Sequence, residues 1–178
     1  MLIFAYGSNM LTTRLKSRVG SASPVGVACL RGYELRWHKR GQDGSGKCDV
    51  VCSQDVSARV HGVVYRINTS GKRALDIAEG LGHGYDEMQV TVDCQGRSLS
   101  VQAYVATQTD PTLKPYDWYK AFVVEGAREH GLPRDYVVQL EAVEAVPDAD
   151  VSRAATNRAI LDAARSSASR VRSPASSC

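Results

Sequence analysis

At 178 residues, 43% hydrophobic and 23% charged, the chain has the length for one domain with its own core and an ordinary globular composition. No apolar run approaches the roughly 20 residues of a membrane-spanning helix, so no membrane partner is expected. The net charge of +3 sits at the end: residues 151–178 hold Arg153, Arg158, Arg165, Arg170 and Arg172 against Asp162. The first 150 residues are therefore close to neutral and carry no electrostatic footprint for nucleic acid.

The chain opens on a strand, Leu2-Ile3-Phe4, cut by Gly7-Ser8-Asn9. Met10, Leu11, Arg14 and Leu15 then fall at helical spacing, with Ser8 or Asn9 as N-cap, and the helix runs on from Thr12 to Val19. A strand, a glycine turn and a helix start aim free backbone N–H groups at one spot, suited to a carboxylate or an oxyanion. The bland alternative is a strand-to-helix connection with nothing bound. The apolar start ends at Gly7 without a basic region before it, and the five cysteines are irregularly spaced. The expectation is free thiols in a reducing cytoplasm.

Val25 to Leu30 reads as a strand, and Tyr33, Leu35 and Trp37 alternate as a half-buried one. Gly41 to Lys47 reads as a mobile loop. Cys48–Ser53 and Val60–Ile67 read as strands, joined as a hairpin through Asp55–Ala58. Thr69 or Ser70 caps a helix that carries Leu75, Ala78 and Glu79 on one stripe, and Gly80 stops it. Met88 to Cys94 and Leu99 to Val105 alternate as two further strands, with Tyr104 on the face opposite Val101 and Ala103. After Pro115 the chain turns helical: Tyr119, Phe122, Val123 and Gly126 share one face, and Tyr136, Leu140 and Val143 mark the next helix. Asp148 or Asp150 caps a last helix to Ala164, and residues 166–178 lack periodicity and read as a disordered tail. The order implies one α+β domain over residues 1–165, with a small mixed sheet of six or seven strands closing like a barrel.

Glu79 stands out because an inward carboxylate on an apolar stripe is uncommon unless paired. Burial and the negative end of the helix dipole both favour its neutral form, the state a general acid needs. The competing account is a frayed helix end that leaves Glu79 in solvent. Cys48 and Cys52, with His38 and His61 on flanking strands, carry ligand chemistry. Residues four apart in a strand are about 13 Å apart, however, so no metal site is expected. Ser8 lacks the G-x-S-x-G setting of a nucleophile elbow. Tyr85, Tyr104 and Tyr119 read by default as core-edge tyrosines.

Phe4-Ala5-Tyr6-Gly7-Ser8-Asn9, Leu75-Asp76-Ile77-Ala78-Glu79-Gly80 and Gly126-Ala127-Arg128-Glu129-His130-Gly131-Leu132-Pro133, in this order and at these separations, resemble the γ-glutamylcyclotransferase superfamily over residues 2–145. The last segment is most similar to its cytosolic branch. The resemblance implies a mixed α+β barrel with the site at one mouth. It implies that the backbone of Tyr6, Gly7, Ser8 and Asn9 binds a γ-glutamyl group, with Glu79 as the single catalytic acid/base and Tyr85, Tyr104 and Tyr119 lining the pocket. The implied substrate is a small γ-glutamyl amino acid or amine, turned into 5-oxoproline and a free amine without metal or organic cofactor. The same scaffold serves enzymes that strip a γ-glutamyl protecting group. A binding-only module is the alternative of a different class. Nothing in the sequence sets an oligomeric state.

Overall fold

The computed structural model describes residues 1–172. Strand β1 (Leu2–Ala5) leads through a 3-10 turn (Ser8–Met10) into helix α1 (Thr12–Val19). Strands β2 (Ala22–Arg31), β3 (Tyr33–Arg40), β4 (Gly46–Cys52) and β5 (Arg59–Ile67) follow, then α2 (Thr69–Glu79). A hairpin of β6 (Tyr85–Cys94) and β7 (Arg97–Ala106) precedes helices α3 (Asp117–Glu129), α4 (Arg134–Ala142) and α5 (Val151–Arg172). The class is α+β, as read from the sequence, and the barrel closes in the order β1-β5-β2-β6-β7. Closure is a short parallel pairing of β1 with β7 at Ile3 and Gln102, while the other barrel neighbours are antiparallel. Val63, Val64, Val92 and Val101 are buried, as a closed small barrel filled by branched side chains requires.

Five strands make the barrel, not six or seven, because β3 and β4 pair with each other as a separate two-stranded sheet. The expected β4–β5 hairpin is therefore absent. Gly32, at the β2–β3 junction, donates to Ala58 O at 2.9 Å and accepts from Ser53 N–H at 2.9 Å. This folds residues 53–58 back to the start of β3 and sends β5 to β2. Nor is 41–47 a loose loop. Gly41 N–H bonds Ser45 O at 2.9 Å, and the Asp43 carboxylate takes Ser45 N–H, Ser45 Oγ and Lys47 Nζ. Gly46 N–H bonds Lys114 O at 2.9 Å, which fixes the hairpin against the segment leading into α3.

The helix boundaries differ from the sequence reading by small steps. Leu11, not Ser8 or Asn9, occupies the N-cap of α1, and the free N–H of Thr12 is met by Glu129 Oε2 from α3 at 3.0 Å. Asn68 caps α2 by accepting Gly71 N–H at 2.7 Å, one residue ahead of Thr69. Gly80 ends that helix in the left-handed conformation, φ 66° and ψ 51°, which glycine adopts without a Cβ penalty. Along α2, Leu75 is buried, but Ala78 lies on the exposed side, so the inward stripe is narrower than expected.

Helix α5 starts on Asp150, whose carboxylate accepts Arg153 N–H at 2.9 Å. Its neighbour Asp148 is buried instead, receiving Trp118 Nε1–H at 2.8 Å and a two-pronged contact from Arg153. The helix continues to Arg172, past the expected stop at Ala164 and into the stretch read as disordered. The rest of that tail, 173–178, lies outside the described residues. Hydrogen bonds from Arg153 and Trp118 hold the Asp148 carboxyl well below the usual carboxylate range. A depressed folded-state value means stability that is complete above about pH 4 and declines as pH falls through the folded value. Urea midpoints at pH 7 and pH 3 are expected to fall less for Asp148→Asn than for the unsubstituted chain. Equal falls would show that this clasp contributes nothing to the acid limb.

Candidate active site

One mouth of the barrel is where β1 and β7 end and β6 begins, since β1 and β7 are parallel and Tyr85 pairs with Ala106. A small cleft opens there. Tyr6, Gly7, Ser8, Asn9, Glu79, Tyr85, Tyr104 and Tyr119 all line it, so the eight residues that the family resemblance assigns to the site converge on one place. Phe4, Ala5 and Cys48 complete the wall. Cys48 arrives from outside the barrel, on β4. Ala106 N–H donates to Asp49 Oδ1 at 2.8 Å and so ties β4 to the last residue of β7.

The turn's own bonds run from Met10 N–H to Gly7 O at 3.0 Å and from Leu11 N–H to Ser8 O at 3.4 Å. As at any helix start, the N–H groups ahead of Met10 have no acceptor within the turn. Gly7 itself has φ −117°, so its role is spatial. A Cβ there would stand 3.0 Å from Cys48 Cβ and 3.3 Å from Tyr119 Oη. Gly7→Ala should push the turn away from Cys48 and Tyr119 and lower kcat/KM for a γ-glutamyl substrate by about tenfold, since small misplacements are costly in a positioned site. Unchanged kinetics in a well-folded variant would count against Tyr6–Asn9 as a cradle.

Glu79 is the last residue of α2, and its side chain is 12% exposed. Its carboxylate is not alone. Oε1 accepts from Arg18 Nη1 at 2.7 Å and from Asn9 Nδ2 at 2.8 Å, and the same Arg18 nitrogen donates to Asn9 Oδ1 at 3.0 Å. Both bonds land on Oε1, and among the described residues Oε2 accepts none. One oxygen is clamped and the other has no protein donor among the described residues. Arg18 also sets a positive charge against the carboxylate, a contribution that burial and the helix end alone leave out.

The tyrosine hydroxyls are committed in a definite way. Tyr85 donates to Cys48 O at 2.8 Å, Tyr104 to Asp76 Oδ1 at 2.6 Å, and Tyr6 to Tyr104 O. With their protons spent on the protein, these oxygens offer lone pairs, which suits them to accept from an ammonium group. Tyr119 instead accepts Cys48 N–H at 3.0 Å. Burial holds all four phenols well above the usual tyrosine value, so each is neutral at physiological pH. Burial likewise pushes the Cys48 thiol up to about 12, which removes it as a thiolate nucleophile.

The cysteine and histidine ligand types stay apart. Cys48 is buried and Cys52 exposed, His38 Nε2 lies 3.0 Å from Asp49 Oδ2, and the His61 ring packs edge-on to Tyr136. Among the described residues no three His, Cys, Asp or Glu side chains group in a way that would hold a metal ion, and no helix is long and apolar enough to cross a membrane. Three residues at the site escaped sequence reasoning in their roles: Arg18 on Glu79, Cys48 in the wall, and Lys39 over the Tyr85 ring. Lys39 lies two residues beyond Trp37, after a register shift between Arg36 and Lys39 that periodicity cannot foresee.

A closed barrel with one clamped carboxylate at a tyrosine-lined mouth is the architecture of a small acid/base site. The AIG2-like family is matched over residues 59–140. The γ-glutamylcyclotransferases of Homo sapiens and Bos taurus are 35% and 34% identical over 149 residues, which is 80% of this chain and 78% of each relative. A solved γ-glutamyl cyclotransferase superposes with a TM-score of 0.80 at 28% identity, covering 92% of this chain and 98% of the other. An uncharacterized human protein superposes at 0.75 and 32% identity, covering 82% and 88%. The chain belongs to the γ-glutamylcyclotransferase family.

Proposed function

We propose that the chain is a γ-glutamylcyclotransferase, a cofactor-independent cytoplasmic enzyme formed by one domain over residues 1–165. It converts a γ-glutamyl amino acid or amine to 5-oxoproline and a free amine. The observation that carries this reading is the Glu79 carboxylate in the wall of the cleft, with Oε1 clamped by Arg18 and Asn9 and Oε2 accepting no hydrogen bond from the described residues.

In a γ-glutamyl amide the α-amine is tethered to the carbonyl it attacks, so proximity supplies much of the acceleration. What remains is proton traffic and charge. The α-ammonium nitrogen starts with three hydrogens and ends as a lactam N–H with one. Glu79 Oε2 takes the first proton, the nitrogen adds to the γ-carbonyl carbon, and the C–N bond to the leaving amine breaks. Glu79 gives its proton to the departing nitrogen. The second proton follows through solvent, and the amine leaves as an ammonium ion. Backbone N–H groups of Tyr6–Asn9 hold the α-carboxylate and the developing oxyanion. Tyr6, Tyr85 and Tyr104 present lone pairs to the α-ammonium before it is deprotonated.

The test is incubation with a panel of γ-glutamyl amino acids and amines, in the presence of EDTA, with 5-oxoproline as the readout. Turnover unaffected by chelation supports the reading, and the preferred leaving group separates a general cyclotransferase from a γ-glutamyl-deprotecting enzyme. Binding of the panel without any 5-oxoproline would identify a binding module and end the proposal.

A further inference from the structure

Lys39 is 6% exposed, on β3, and its ammonium lies 4.6 Å from the centroid of the Tyr85 ring, a wall of the cleft. It also reaches the loop that follows Glu79. A Cβ placed on Gly84 would stand 3.2 Å from Lys39 Nζ and 2.9 Å from Glu79 O, so Gly84 is the shared neighbour of both residues. The other buried lysine side chains have acceptors: Lys47 meets Asp43, and Lys72 meets Asp76 and Glu87. Among the described residues none accepts a hydrogen bond from Lys39, and no carboxylate forms an ion pair with it. Glu79 is already served by Arg18, so Lys39 is a second cation next to the cleft, packed on its Tyr85 wall and not itself among the lining residues, without an anion of its own.

A partly desolvated ammonium without a protein acceptor is stabilised when an anion arrives. Burial draws the Lys39 ammonium below its usual value, while attraction from Glu79 and Asp43 works in the other direction. Glu79 forms no ion pair with Lys39, its Oε1 being held by Arg18 and Asn9 instead. The α-carboxylate of the γ-glutamyl half is assigned to the turn at Tyr6–Asn9, which reaches Glu79 from β1 through Asn9. Lys39 approaches from a different element, on the side of the loop at Gly80–Gly84.

Resting on the cyclotransferase reading above, we propose that Lys39 is a specificity residue whose ammonium receives an anionic group carried by the leaving half of the substrate. A leaving amine bearing a carboxylate then gains a charge-assisted hydrogen bond in a partly desolvated setting, which one lacking it does not.

The experiment uses γ-glutamyl-alanine and γ-glutamyl-ethylamine, which differ only by the leaving-group carboxylate. The readout is the ratio of their kcat/KM values for the unsubstituted chain, Lys39→Met and Lys39→Arg. The expected result is a ratio of about 10–100 in the unsubstituted chain that collapses toward one in Lys39→Met and is largely kept in Lys39→Arg. No preference in the unsubstituted chain, or a ratio untouched by Lys39→Met, overturns the proposal. Equal loss on both substrates also overturns it, because it would place Lys39 on the γ-glutamyl half. If neither compound yields 5-oxoproline, the functional reading has failed on its own. Calorimetric affinities of the two ligands, with and without Lys39→Met, then decide the Lys39 assignment by the same ratio.

Discussion

Glutamine in place of Glu79 is expected to lower kcat by about 10²–10⁴-fold, the range for removing a positioned acid/base. Glutamine keeps the size, and its carbonyl oxygen can still accept from Arg18 Nη1 and Asn9 Nδ2, which now lie 2.7 and 2.8 Å from Oε1. Its amide nitrogen then occupies the Oε2 position, where it neither takes nor returns a proton at neutral pH. KM should change little, because in the proposed site the turn and the tyrosines, not Glu79, hold the substrate. A helix-end carboxylate considered alone would predict a gain in stability from this substitution. The ion pair with Arg18 changes that expectation to a loss of about 1 kcal/mol, the upper range for exposed pairs. Three measurements separate the alternatives: kcat, KM and the urea midpoint. A purely structural Glu79 would lose midpoint first, with activity lost only through unfolding. Full turnover in a well-folded Glu79→Gln protein would end the mechanism.

What was legible in the sequence was local. The strand, turn and helix start at Phe4–Met10 lie within a few residues of one another, and Gly80 signals the end of α2 through its backbone freedom. Tyrosines on separate elements could be assembled only through the family resemblance, and the cleft does gather them. Contacts across elements were not legible. Helical spacing says that Glu79 turns inward, yet it does not say that Arg18 of α1 waits there. Alternation in β3 and β4 fixes faces but not partners, so the separate β3–β4 sheet had to come from the Gly41–Ser45 turn and the Gly32 bonds. Three consecutive residues able to cap α2 left its start uncertain by one position. The Ala- and Ser-rich end of α5 has no apolar stripe to announce a helix, although its alanines and arginines favour one.

Gly126→Ala is expected to destabilise the protein by about 1–3 kcal/mol, the usual cost of overpacking a tight contact. Helix propensity predicts the opposite sign. Gly126 is inside α3, where alanine is favoured over glycine by about 1 kcal/mol. Space decides against propensity here. A Cβ at Gly126 would stand 2.5 Å from Leu11 N and 2.7 Å from Met10 C, both backbone atoms that no rotamer change can move aside. The only relief is to slide α3 away from the segment that joins the 3-10 turn to α1. That segment is held from the other side as well, because Tyr65 donates its hydroxyl to Met10 O at 2.8 Å. The strain therefore passes into the turn at Gly7–Asn9, and through Asn9 to Glu79 Oε1. At about 2–4 °C per kcal/mol for a domain of this size, the melting temperature should drop by roughly 2–12 °C. Well below that temperature, kcat/KM should still be reduced, because a displaced turn misplaces the substrate while the fold persists. A Gly126→Ala protein that melts higher and turns over normally would show that α3 can yield without moving the turn, and that the close approach of α3 to Met10 and Leu11 has no part in building the site.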